Sequence, residues 1–177
     1  VVVALAAVAV ACLVRGAEAA PRGTVAIRGE TVHTMAGPPL ADGVVLVVDG
    51  RIARVGPAAA VEVPADARVV RGRVVVPGLV DAHTVVGLSG LLNQPQDQDQ
   101  LDATDAMQPE LRAIDAYNPR DKLVDWIRGF GVTTIHTGHA PAALVAGQTM
   151  VAKTVGGTAE EAALRPVAMV AATFGDA

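Results

Sequence analysis

Apolar and polar positions divide the chain into a strand-rich first part and a second part in which strands alternate with helical segments. From residue 24 to residue 76, short β-branched runs alternate with polar residues and are separated by turn signals. This pattern is typical of a small all-β unit. The clearest local signal is Asp49-Gly50, a two-residue link that favours a type I′ turn and predicts a hairpin joining 44–48 to 51–55.

Two further glycine-containing dipeptides are interpreted as turns in this first part. Arg28-Gly29 separates the strand-like segments 24–27 and 30–34, and Arg71-Gly72 separates the strand-like segments 67–70 and 73–76. Glycine inside an apolar pattern often marks a bend. We therefore predict one short strand before each dipeptide and one after it.

The second part predicts a strand, a helix and a strand in succession. Asn118 is a candidate N-cap with Pro119 at the first helical position. An apolar face and terminal glycines follow, and the run 132–136 reads as a strand. Together with a strand at 79–83 this predicts a right-handed crossover with parallel pairing. The apolar face consists of Leu123, Val124, Ile127 and Phe130.

The remaining segments of the second part are a polar loop and a few short elements. Residues 93–110 contain four aspartates and five glutamines without periodicity, which is typical of a functional or disordered loop. Asp97, Asp99 and Asp102 admit a calcium site, but the glycine and spaced glutamate of a calcium loop are missing, so a solvated loop is favoured. Strands are predicted at 149–153 and 166–173, with a helix capped by Thr158 and Glu161 between them.

The segment 74–90 carries the chemistry, because its apolar run ends in Asp81 and His83. In the order Pro-Gly-Leu-Val-Asp-Ala-His, residues 77–83 match the signature P-G-[LIV]-[IV]-D-x-H-x-H, and so the chain resembles the amidohydrolase superfamily of metal-dependent hydrolases. The second histidine of that signature falls at Val85. An isopropyl group donates no lone pair, so any metal here needs ligands from elsewhere.

The resemblance implies an α/β fold with an all-β part. A small N-terminal β-sandwich, 21–76, would precede the first strands and helices of an incomplete TIM (β/α)8 barrel, 77–177. Such a barrel takes about 250 residues, and the whole chain has 177. We therefore expect an N-terminal fragment of a longer protein that is inactive by itself, with sandwich strands and further ligands supplied by the missing part.

Residues 1–20 resemble a secretory signal peptide. A nearly continuous apolar run of 13 residues precedes the pattern Ala17-Glu18-Ala19, which suits a signal sequence and is too short for a membrane span. Export to the periplasm or the extracellular space is expected, with an uncleaved N-terminal anchor as the alternative. Cys12 is the single cysteine, so no internal disulfide forms; it reads as an apolar filler rather than a lipid attachment site.

Composition and charge narrow the class of partner. The net charge is −4 and the chain has one Trp, one Tyr and two Phe, which provides neither a basic footprint nor stacking platforms for nucleic acid. No stable membrane span is expected after signal cleavage. The expected partner is a small-molecule substrate, and association with a second copy of the chain stays open.

The candidate metal ligands are four residues at predicted strand ends. Asp81 and His83 either bind a metal or form a hydrogen-bonded pair that caps the strand. His136 and His139 are weaker candidates that could replace the ligand lost at Val85, with a chance pair of loop histidines as the alternative. In addition, Lys153 is interpreted as a solvated lysine rather than a carboxylated metal bridge, and His33 as a structural residue.

The resemblance implies a reaction as well as a fold. It predicts hydrolysis of a non-peptide, often cyclic, carbon–nitrogen bond by metal-activated water, with zinc as the expected divalent cofactor. The alternative is a secreted binding or structural module that has lost the metal, and Val85 is the observation in its favour. The substrate cannot be read from these residues, because specificity depends on loops of the barrel.

Overall fold

The computed structural model describes residues 23–141 and 143–174, and these fall into two compact units that divide after Pro77. The predicted signal peptide and Cys12 lie outside the described residues. None of the helices in the described part of the chain is long and apolar enough to cross a membrane.

The first unit contains the strands β1 Thr24–Val32, β2 Leu40–Val48, β3 Arg51–Pro57 and β4 Arg68–Val75. They form one four-stranded sheet in the order β3-β2-β1-β4. Neighbouring strands are antiparallel except for β1 and β4, which pair in parallel. Asp49 and Gly50 both have positive φ, 49° and 76°, so the predicted hairpin between β2 and β3 is confirmed.

The two turns predicted at Arg28-Gly29 and Arg71-Gly72 are wrong. Both dipeptides lie inside continuous strands, and Gly29 and Gly72 are register partners across the β1/β4 pair. A Cβ atom built on Gly29 would lie only 2.9 Å from Val75 Cγ2 and 3.0 Å from the Thr31 carbonyl oxygen. Glycine is required at position 29 for close packing and not for a turn.

The core of the first unit lies on one face of its sheet. Ala26, Val44 and Leu46 are buried there together with Val61 from the segment after β3. The described residues of this unit form a single sheet. The second layer of a sandwich therefore remains a prediction.

The strands of the second unit are β5 Leu79–Thr84, β6 Val132–Thr137, β7 Val145–Gln148, β8 Met150–Lys153, β9 Ala163–Arg165 and β10 Val170–Ala172, and its helices are α1 Ala113–Ala116, α2 Lys122–Gly129 and α3 Ala159–Ala162. The strands form a four-stranded sheet in the order β5-β6-β8-β9 and a separate antiparallel pair, β7 with β10. A 3-10 turn at Pro95–Asp97 lies in the polar loop, where Gln100 and Gln108 are buried.

The predicted parallel pairing is observed between β5 and β6, with α2 lying between them in the chain. The next strands differ from a barrel, since β8 is antiparallel to β6 and β9 is antiparallel to β8. A (β/α)8 barrel contains parallel strands throughout. The mixed α/β class is confirmed, whereas the barrel itself remains a prediction.

Helix α2 begins three residues later than the sequence predicts. Asp121 is its N-cap, and the Asp121 carboxylate accepts a hydrogen bond from the Leu123 backbone N–H at 2.6 Å. The Asn118 side chain instead accepts from the Arg120 N–H at 3.0 Å, which shapes the turn before the helix. Both residues are good caps, so local preference alone does not choose between them.

The core of the second unit lies between α2 and one face of the β6/β8 pair. Val124, Ile135 and Met150 are fully buried in it, and Leu123 and Ile127 pack against its edge. Phe130, assigned to the same apolar face from sequence, is 67% exposed and makes an edge-to-face contact with Trp126 instead. The physical reason is that α2 ends at Gly129, so Phe130 no longer follows the helical period.

Candidate functional site

The carboxyl ends of the parallel strands β5 and β6 lie side by side and bring three histidines to one cavity. His83 is near the end of β5, His136 near the end of β6, and His139 in the loop that follows. All three line a cavity of about 260 Å³, together with Thr149 and the segment 169–173. We refer to this cavity as the histidine cavity.

His136 is held by hydrogen bonds at both ring nitrogens. Nδ1 lies 2.9 Å from the carbonyl oxygen of Ala82, and Nε2 lies 2.7 Å from Thr149 Oγ1. Because a carbonyl oxygen only accepts, Nδ1 must carry the proton. In the neutral imidazole, the Nε2 lone pair is then left to accept from the Thr149 hydroxyl.

Thr149 links this histidine to the segment that precedes β10. Its hydroxyl is also 3.2 Å from the Met169 carbonyl oxygen, and its backbone N–H donates to the same oxygen at 2.8 Å. A hydroxyl has one proton, so it donates either to His136 or to Met169. The shorter distance favours donation to His136.

His139 is almost completely enclosed, with 8% of its surface exposed. Its Nε2 has no hydrogen-bond partner of acceptable geometry in the described part of the molecule. Burial lowers the pKa of His139 from its usual value, and the Asp102 carboxylate and the Leu111 carbonyl oppose this shift. The imidazole is therefore neutral at pH 7.

Gly147 makes room for this ring. Its φ is +130°, and a Cβ atom there would lie 2.6 Å from His139 Nε2 and 2.6 Å from the Leu111 carbonyl oxygen. Any side chain at this position would displace the imidazole or the carbonyl. The enclosure of His139 thus depends on a glycine in a left-handed conformation.

The remaining predicted residues of the signature do not reach the histidine cavity. Asp81 is half-buried, and its carboxylate accepts from the backbone N–H of His83 at 3.3 Å. Neither Asp81 nor Val85 lines the cavity, although His83 does. The register of β5 against β6 shifts between Asp81 and Thr84, which disturbs the simple alternation expected from sequence.

Comparison with solved structures gives the family. A crystal structure of an amidohydrolase from Thermotoga maritima matches 86% of this chain with a TM-score of 0.79 and 30% sequence identity. The signature at 77–83 and this structural match agree. The chain belongs to the amidohydrolase superfamily. It spans 39% of the length of the Thermotoga amidohydrolase.

Other amidohydrolase-related comparisons contribute less. Ochratoxinase from A. niger matches 43% of this chain and 20% of its own, at 24% identity and a TM-score of 0.35. Molinate hydrolase matches 38% and 15%, at 30% identity and the same TM-score. A TM-score of 0.35 is too low to support a conclusion about this chain. No protein-family model matches the sequence, and no curated protein is significantly similar to it.

The metal-ligating side chains in the described part of this amidohydrolase chain are not arranged to hold a metal ion by themselves. Within residues 23–141 and 143–174, no three side chains of His, Cys, Asp or Glu are grouped so as to hold one. A catalytic zinc typically has three protein ligands. Both ring nitrogens of His136 are already engaged, so a metal here would need further ligands and a displaced hydrogen bond.

Two other residues considered from sequence do not line the histidine cavity. Lys153 is exposed on β8, and its ammonium group donates to Thr134 Oγ1 at 3.3 Å. His33 belongs to the first unit, and its backbone N–H donates to the Val75 carbonyl at 2.9 Å. Neither contributes to the histidine cavity.

Sequence reasoning missed Thr149 and the segment 169–173 as parts of the site. Thr149 lies between the two short strands β7 and β8, and nothing in its local sequence marks it as a partner of His136. Segment 169–173 reaches the cavity through the antiparallel pairing of β10 with β7. Such long-range pairings are not encoded in a local pattern.

Proposed function

We propose that the protein containing this chain hydrolyses a carbon–nitrogen bond of a small amide, of open or cyclic form, at the histidine cavity. The single observation that carries the proposal is the convergence of His83, His136 and His139 on one cavity at the carboxyl ends of β5 and β6. The carboxyl ends of strands are where α/β enzymes of this class place their reacting groups. Membership of the amidohydrolase superfamily supports the reaction class.

The chain's own residues would bind and orient the reacting groups. The cavity of about 260 Å³ is large enough for a small amide group. His136 is fixed in one orientation by the Ala82 carbonyl and the Thr149 hydroxyl, and His139 is neutral because burial lowers its pKa. A neutral imidazole is the form that accepts a proton or binds a metal.

A metal cofactor, zinc by expectation, remains part of the proposal for the longer protein. When bound, it would supply activated water and polarisation of the carbonyl group. The described residues do not complete a site for it, so we assign it no step. Its remaining ligands would have to come from residues other than the described ones.

The second candidate function is a non-catalytic binding or structural module. Val85 stands where the family signature has its second histidine, and it does not line the cavity. The described residues lack a grouped set of three metal donors. These two observations favour a module that has lost the metal, and the following experiment discriminates it from a hydrolase.

The test compares metal content and hydrolysis in the longer protein with alanine variants at His83, His136 and His139. A panel of N-acyl amines and cyclic amides serves as substrate. His33→Ala is the matched control, because His33 lies in the first unit. A hydrolase predicts about one equivalent of bound metal and at least tenfold lower activity in the cavity variants, with the control unchanged.

The opposite result has a clear signature. Less than a tenth of an equivalent of tightly bound transition metal, together with no hydrolysis across the panel, would favour the non-catalytic module. Cavity variants as active as the control would show that the reaction takes place elsewhere in the protein.

We also propose the finer architecture and the location of the protein. The first unit would be one layer of a small β-sandwich, and the second the beginning of a TIM barrel, supported by the parallel β5/β6 pair. Export through a signal peptide at residues 1–20 is supported by the apolar run there. N-terminal sequencing of the secreted protein, expected to begin near residue 20, tests the second proposal.

A further inference from the structure

The walls of the histidine cavity combine aliphatic side chains with hydroxyl and imidazole groups. The aliphatic part comes from residues 140–141, from Ala146 and from the segment 169–172, and the polar part comes from three histidines and two threonines. Within the aliphatic segment, Met169 is 56% exposed and Val170 is 51% exposed. Covering apolar surface of this kind with an apolar ligand group is favourable. The cavity therefore offers a surface for an aliphatic group next to its histidines.

Two polar side chains of the lining are accessible to a ligand. The His136 ring and the Thr149 hydroxyl are bonded to each other, and His139 Nε2 is enclosed with almost no accessible surface. His83 is exposed and Thr173 is half-buried, and both line the cavity. An imidazole and a hydroxyl can each donate or accept a hydrogen bond. Together they match the N–H donor and the carbonyl acceptor of one amide group.

Two charged side chains lie close in sequence to lining residues, and both are bonded elsewhere. The Asp81 carboxylate accepts from the His83 backbone N–H, and the Lys153 ammonium group donates to Thr134 Oγ1. Every lining side chain in the described part of the molecule is aliphatic, hydroxyl or imidazole. A carboxylate or an ammonium group that enters the cavity would therefore lose hydration without gaining an ion pair from these walls, and this costs free energy.

We infer that the histidine cavity selects an uncharged aliphatic amide over an amide of the same size that carries a carboxylate or an ammonium group. The aliphatic wall contacts the hydrocarbon part, and His83 and Thr173 hydrogen-bond the amide. This inference rests on the proposed function, because it names the substrate class of the same site. It goes further, since hydrolysis of a carbon–nitrogen bond is equally compatible with charged substrates.

Three amides of nearly equal size that differ only at one end provide the test. N-propylacetamide ends in a methyl group, N-acetyl-β-alanine in a carboxylate and N-acetylethylenediamine in an ammonium group. Each is titrated into the full chain without metal at about pH 8, where an ordinary imidazole is uncharged. The ionic strength is about 0.15 M, so that distant surface charges are screened. Long-range proton–nitrogen NMR follows the ring nitrogens of the four histidines.

The neutral amide should bind and the charged amides should bind poorly. We expect N-propylacetamide to shift the signals of His83, His136 and His139 in a saturable manner, and the His33 signals in the first unit to stay in place. The two charged amides should bind at least about tenfold more weakly, a difference of about 1.4 kcal/mol. In the longer protein, kcat/KM for hydrolysis of the neutral amide should exceed the values for both charged amides by a similar factor.

One added charge should change this preference in a defined direction. Ala172→Lys places an ammonium group at an exposed position of the lining. N-acetyl-β-alanine should then bind about threefold more tightly and N-acetylethylenediamine about threefold more weakly, which is the size of one exposed ion pair. Leu164→Lys is the matched control, because Leu164 is exposed on β9 and does not line the cavity. It should bind all three amides as the unchanged chain does, and Trp126 fluorescence confirms that each variant is folded.

Binding and hydrolysis separate this inference from the hydrolase proposal. Selective binding of N-propylacetamide without cleavage of any amide would contradict the hydrolase and support the selectivity of the cavity. Equal kcat/KM values for the three amides would support the hydrolase and overturn the selectivity.

Three binding results would also overturn the inference. The first is the absence of a saturable shift with N-propylacetamide, and the second is a dissociation constant of either charged amide within threefold of the neutral one. The third is an equal gain in N-acetyl-β-alanine binding by Ala172→Lys and Leu164→Lys, which would show that the carboxylate responds to the net charge of the chain and not to the cavity.

Discussion

At the scale of single residues, the buried hydroxyl of Tyr117 makes a sharp prediction about pH. Tyr117 is the only tyrosine of the chain and is 5% exposed, and its hydroxyl has no partner among the described residues. Burial disfavours the phenolate and raises the pKa of Tyr117 to about 12. The tyrosinate absorbance of the folded chain should therefore rise near pH 12, and that of the unfolded chain near pH 10.

The same shift fixes the sign of a stability change. The folded state keeps the phenolic proton over a range in which the unfolded state loses it, so stability is fully present below about pH 10 and falls as pH rises towards 12. Tyr117→Phe removes this dependence and an unsatisfied buried group, so it should leave the free energy of unfolding equal or about 1 kcal/mol higher. A native absorbance change near pH 10 would show that the ring is accessible.

A second residue-scale prediction concerns the hydroxyl that holds His136. Thr149→Val removes the donor to Nε2 while keeping the shape of the side chain, and it leaves a partly enclosed nitrogen without a partner. The expected cost is about 1 to 2 kcal/mol in the free energy of unfolding. Thr149→Ser keeps the hydroxyl and is the matched control. A larger loss for Thr149→Ser than for Thr149→Val in denaturant unfolding would show that the methyl group contributes more to stability than the hydroxyl.

At the scale of elements, the N-cap of α2 distinguishes the structure from the sequence-based assignment. Asp121→Ala removes the acceptor for the Leu123 N–H and should cost about 1 kcal/mol. Asn118→Ala affects only the preceding turn and should cost less. Unfolding followed by Trp126, the single tryptophan and part of α2, reports both variants. A larger loss of unfolding free energy for Asn118→Ala than for Asp121→Ala would show that Asn118 is the N-cap, as the sequence predicts.

Local signals predicted the elements well wherever one interaction decides the structure. Asp49-Gly50 specified its hairpin because few dipeptides tolerate two successive positive φ angles. The turns predicted at Gly29 and Gly72 were wrong because glycine occurs both in turns and where strands pack closely. Only the position of the paired strand distinguishes the two cases. Thr158 was correctly placed as the cap of α3, although Glu161 returns to the Gly157 N–H rather than to Thr158.

At the scale of the whole molecule, the candidate site was predictable only in part. The signature identified His83, and the strand pattern correctly placed His136 and His139 near it, because parallel strands end at the same edge. Thr149 and the Met169 segment reach the site because β8 and β10 pair in antiparallel fashion with earlier strands. Such contacts join residues far apart in sequence, and the hydrophobic periodicity of a segment does not predict them.

The whole-molecule prediction concerns what zinc does to the stability of this chain. A ligand that binds only the folded state stabilises it by about 2.7 kcal/mol at a hundred times its dissociation constant. Because the described residues lack a grouped set of three metal donors, a moderate excess of zinc should raise the free energy of unfolding by less than about 0.5 kcal/mol. Chelator treatment should leave it unchanged. A zinc-dependent gain above about 2 kcal/mol that disappears in His83→Ala but persists in His33→Ala would show that this chain completes a metal site at the histidine cavity.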